Sequence, residues 1–211
     1  MQLYKLTDSE GYTKNNTHWS VGTTHSLEVK LNPQLCSRDV LHAYTSPLLA
    51  ALMYPAHIDF KNTLCFTVDG EIAVTDGTKV GCFSLTVTGT FVLPELSLTQ
   101  RIAFGILCTL ELLSGKDKKF TQWAEKWLSN EDRSIVAATF AYVYAADAAA
   151  AGAAYAAATA SSASPATSAS ADATTAYAAH AAANAADAAA SSDTAKNKID
   201  FQKLAEKVLE Y

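Results

Sequence analysis

The residues best equipped for chemistry lie in the run Leu41-His42-Ala43-Tyr44-Thr45-Ser46. His42 and Tyr44 are two apart, so on a strand both side chains stand on one face. Ser46-Pro47 is a helix opening, with Ser as N-cap and Pro at the first helical position, and a helix N-terminus favours an anion. Tyr4 on an amino-terminal strand and Tyr54 at the end of the ensuing helix complete a candidate ligand site of Tyr4, His42, Tyr44, Ser46 and Tyr54. The same residues also suit a structural use, in which His42 and Tyr44 satisfy each other or a turn carbonyl and Ser46 only caps the helix.

A second polar constellation lies near the carboxyl end. Tyr177, His180, Asn184 and Asp187 are spaced three, four and three apart, which on a helix places all four on one face. Tyr144, Tyr155 and Tyr177 fall on an 11-residue interval, close to three helical turns. These six residues are the interface candidates: they offer contact area and hydrogen bonds to a partner or a second copy. The competing use is a register device between otherwise featureless helices, as a polar residue serves in coiled coils.

No glycine-rich phosphate loop, H-E-x-x-H, G-x-S-x-G or C-x-x-C is present. No catalytic residue is therefore assigned and no cofactor is expected, so binding is favoured over catalysis. Cys36, Cys65, Cys82 and Cys108 are widely spaced and have no matching histidines for zinc. They read as free, buried thiols of a reducing compartment, with no metal site. His180, Asn184 and Asp187 together form a poor set for zinc. The net charge of −5 argues against a nucleic-acid partner. The amino terminus lacks the basic and apolar blocks of a secretion signal, and no stretch reads as a membrane span. The expectation is a cytoplasmic protein with a protein partner or a homo-oligomeric state.

The elements that must position these groups divide the 211 residues into unlike halves. The expected fold class is α+β: a β-rich head with one short helix over 1–95, amphipathic helices packing on it over 96–130, and an all-α, Ala-rich hairpin with a last helix over 131–211. In the head, Leu3 to Leu6 and Asp39 to Tyr44 read as strands, and Pro55 is expected to stop the first helix. Asp69-Gly70 and Asp76-Gly77 give two successive hairpin signals in an antiparallel meander. Ser97 or Thr99 caps a helix carrying Ile102, Ile106, Leu110 and Leu113, closed by Gly115. Phe120, Trp123, Ala124 and Trp127 make a second apolar face. After Glu131-Asp132 and Ser134 a long helix is predicted to about Ala160, broken around Pro165 and resumed from Asp172 to Ser192. From Ala141 to Ala195, 30 of 55 residues are Ala, so these helices have high propensity but must gain stability by close approach.

Two resemblances add to this reading. Leu3-Tyr4-Lys5, a following strand, and a helix ending Ala50-Ala51-Leu52-Met53-Tyr54 are similar to the front of the ADP-ribosyltransferases. That family carries His or Arg where Lys5 stands, and Glu71 is the nearest option for its acid, so the likeness implies a degenerate head that binds a nucleotide or small ligand. A Tyr-Lys strand, Val21-Gly22, Leu35-Cys36, His42-Ala43 and Pro47 resemble an uncharacterised family of bacteriophage and prophage accessory proteins over roughly the first 75 residues. Trp123-Ala124, Trp127-Leu128-Ser129 and Glu131-Asp132-Arg133-Ser134 before the Ala and Tyr repeats are similar to the helical tails of prophage and immunity proteins. What these imply is a phage-derived, intracellular interaction protein, with counter-defence against the host as one use.

Overall fold

The computed structural model describes residues 1–57, 63–145, 148–162, 168–192 and 199–211. It is an α+β protein of two compact units. The first holds Met1–Tyr54 and Ile58–Glu95, and the second holds Leu96–Tyr211 together with Pro55–His57.

The first unit is built on strands β1 (Gln2–Thr7), β4 (Thr24–Ser26), β5 (Leu41–Ala43), β6 (Leu64–Thr75) and β7 (Val80–Thr90), all paired antiparallel. β2 (Tyr12–Thr13) and β3 (Thr17–His18) form a separate small hairpin. β7 pairs β6 along one edge and both β4 and β5 along the other. Tyr4 and Tyr44 exchange backbone hydrogen bonds of 2.9 and 2.8 Å, which joins β5's continuation to β1 and closes the ring β1-β6-β7-β5. Closure leaves little free edge on this part of the sheet. Leu3, Trp19, Ala43, Phe66, Val68, Val80, Cys82, Leu85 and Val87 form its core.

Only one of the two expected hairpins exists. At Asp76-Gly77 the Asp76 carboxylate accepts from the backbone N–H groups of Thr78 and Lys79, both at 2.9 Å, and from the Thr78 hydroxyl at 2.8 Å. Gly77 takes the left-handed conformation there. Gly70 is instead an interior residue of β6, at an irregularity in the β6–β7 register. A Cβ on Gly70 would lie 2.7 Å from the Ser84 carbonyl and 2.6 Å from Leu85, so its glycine serves close strand approach rather than a turn.

Helix α1 (Pro47–His57) opens as its sequence directs, with the Ser46 hydroxyl accepting from the Leu49 N–H at 3.2 Å. It does not stop at Pro55 but continues two residues further. A proline at this point forfeits a single backbone hydrogen bond.

The second unit begins with α2 (Leu98–Leu113), which carries a full capping box between Ser97 and Gln100. Next come α3 (Lys118–Leu128) and α4 (Ile135–Val143), then α5 (Ala148–Ser162), α6 (Ser168–Ser191) and α7 (Phe201–Lys207). The predicted long helix to Ala160 is thus two helices. Tyr144 leaves helical backbone, and Tyr142 meets Tyr155 at 5.6 Å between ring centroids, so α4 folds back on α5. The β-branched and aromatic run from Ile135 to Tyr144 has weaker helix propensity than the alanines after it, which makes this junction the place to break.

The helices of 96–130 lie in the same compact unit as the Ala-rich helices. α2 packs against α5, α6 and α7, and the glycines show how. A Cβ on Gly105 would come within 2.9 Å of the Ala182 carbonyl, and one on Gly152 within 3.2 Å of Ala185 Cβ. Small residues on both sides let backbones meet, replacing bulky knobs with dispersion between main chains. The Pro165 break and the segment before Asp200 lie outside the described residues.

Candidate functional site

In the first unit the sequence-predicted residues are gathered by the strands, but into packing rather than an open site. Tyr44 is buried, and Tyr4, half-buried, packs edge-to-face on Phe91 at 5.1 Å. His42 is half-buried on β5. Its Nε2 accepts the Cys36 backbone N–H at 3.0 Å, which requires that nitrogen to be unprotonated and ties the 33–40 loop to the sheet. Ser46 is spent on capping α1. The Tyr54 side chain lies outside the described residues. Glu71, the nearest option for a transferase acid, is exposed on β6.

Sequence reasoning passed over Lys5, the most unusual ionisable group of this unit. Its ammonium donates to the His42 carbonyl at 2.7 Å and sits 4.3 Å above the Trp19 ring centroid. The residue is buried, and burial, only partly offset by the nearby Cys82 thiol, lowers its pKa to about 8. Cys82 is pushed up by its own burial. A lysine inside a closed strand ring is expected to be a methylene stem with a fixed charge at its tip, and no alternation pattern distinguishes it from an exposed one. Its chemistry is structural, since substrate has no route to a nitrogen so enclosed.

Of the thiols, Cys65, Cys82 and Cys108 are buried as expected, whereas Cys36 is exposed in the left-handed backbone region. Among the described residues no three His, Cys, Asp or Glu side chains are grouped to hold a metal, and no helix is long and apolar enough to cross a membrane.

The interface candidates of the second unit fall on three elements, so no continuous tyrosine stripe forms. Tyr144 caps α4, Tyr155 lies on α5 and Tyr177 on α6, where its side chain is outside the described residues. Tyr144 and Tyr155 are 58% and 48% exposed. On α6, His180 and Asn184 are exposed and Asp187 half-buried, between alanines that are buried. His180 and Asn184 on this face look to solvent.

α4 is the feature that the sequence pattern did not single out. It has no charged residue, and its only buried side chain is Ala138. Ile135, Val136, Phe140, Tyr142 and Val143 are 42%, 61%, 59%, 47% and 63% exposed. A helix that is apolar all round is normally buried. At about 100° per residue its side chains divide into three stripes. Ala138 and Tyr142 turn to α5; Val136, Thr139 and Val143 face outward; Ala137, Phe140, Ala141 and Tyr144 line a groove against α3. The opposite wall of that groove is Lys119, Phe120, Gln122, Trp123 and Lys126. Phe140 and Tyr144 stack within 4° of parallel, and the Lys119 ammonium lies 4.8 Å from the Tyr144 ring centroid.

No family model, curated protein or solved structure matches this chain.

Proposed function

We propose that this chain is a non-catalytic, intracellular interaction protein whose helical unit makes the contacts, in the first place with a second copy of itself. The observation that carries the reading is α4: a charge-free helix with five large apolar or aromatic side chains more than 40% exposed. Contiguous exposed apolar surface of this kind marks association sites. Val136 and Val143 on the outward stripe are two turns apart, and a helix presenting the same stripe on each copy suits a two-fold, self-complementary contact. Tyr144 and Tyr155 extend this surface with amphipathic rings. An accessory role of phage origin, including counter-defence, is the use that the sequence resemblance suggests for such a module.

The test is the solution mass of the full chain, by light scattering, beside that of the double variant Val136→Lys, Val143→Lys. Both positions are exposed, so the substitution leaves the monomer fold intact. The proposal expects a discrete oligomer for the parent chain and a single-chain mass for the variant. A parent chain that is monomeric at tens of micromolar, or an oligomer indifferent to both lysines, overturns it.

A further inference from the structure

We draw no further inference here: the strongest candidate, the apolar groove between α3 and α4, is lined by Asp117 and Asp132 as well as Lys119 and Lys126, and nothing in the structure shows what covers it.

Discussion

Replacing Lys5 by Met puts a number on the most unusual packing decision in the first unit. The side chain keeps an unbranched apolar stem and loses its ammonium. With the folded pKa near 8 and an unfolded value of 10.5, the unfolded chain binds more protons than the folded one throughout the interval between them. Stability therefore carries the full penalty of the buried charge below pH 8 and regains it as pH rises toward 10.5. Integrated from pH 7.0 to 9.5, a shift of that size amounts to about 2 kcal/mol for this one group, at 1.36 kcal/mol per unit. The parent protein also contains Cys65, Cys82 and Cys108, whose burial raises their pKa values, so that folding disfavours their ionisation and stability falls at higher pH. Taking the difference between parent and variant cancels the Cys65 and Cys108 contributions and isolates Lys5 with its neighbour Cys82. The assay is urea unfolding at both pH values, followed by Trp19 fluorescence in a Trp123→Phe, Trp127→Phe background. Trp19 is the right reporter because the ammonium lies over its ring. Relative to Lys5→Met, the parent should gain about 2 kcal/mol between pH 7.0 and 9.5. A difference between the two proteins that does not change with pH would refute the claim that Lys5 is held as a desolvated cation.

Two further substitutions probe the scaffold. Gly105→Ala should destabilise the helical unit by about 1–3 kcal/mol in thermal unfolding, although alanine is the better helix former, because the added methyl meets the Ala182 carbonyl on α6; a rise in melting temperature would show that α2 and α6 do not approach so closely. Asp76→Ala removes three hydrogen bonds and the 2.8 Å ion pair with the buried Lys79, and should cost about 2–4 kcal/mol by denaturant unfolding of the first unit. Burial alone would raise the Asp76 pKa, but Lys79 and the turn donors outweigh it and leave it lowered. Its contribution is accordingly present at neutral pH and lost as acid protonates it below the usual carboxylate range.

Where the sequence could be read, a local rule and the tertiary structure agreed. Ser46-Pro47, Ser97 with Gln100, and Asp76-Gly77 each fix a cap or turn from their own side-chain chemistry, and each is present. The boundary near residue 95 was legible from the change from period-two to helical spacing. Gly70 and Pro55 misled because glycine and proline punctuate chains for more than one reason: the first admits a neighbouring strand, and the second is tolerated in a last turn. The split of α4 from α5 was hidden because the alanines beyond it favour helix throughout and no Gly or Pro marks the junction, across which Tyr142 meets Tyr155. Tyr4 and Tyr44 are neighbours through their backbone bridge, yet residue type alone cannot say that Tyr44 is buried or that the His42 ring is engaged by Cys36. The α4 surface escaped notice for the opposite reason. An apolar run reads as core, and only the fold shows that this one faces outward.

The central claim is that the outward stripe of α4 is covered by another protein surface. A photoreactive phenylalanine placed at Val143, compared with one at exposed Glu125 on α3, tests it most directly. The account predicts a defined covalent dimer of the chain from position 143 and none from position 125. Adducts from both positions alike, or from neither, would contradict it.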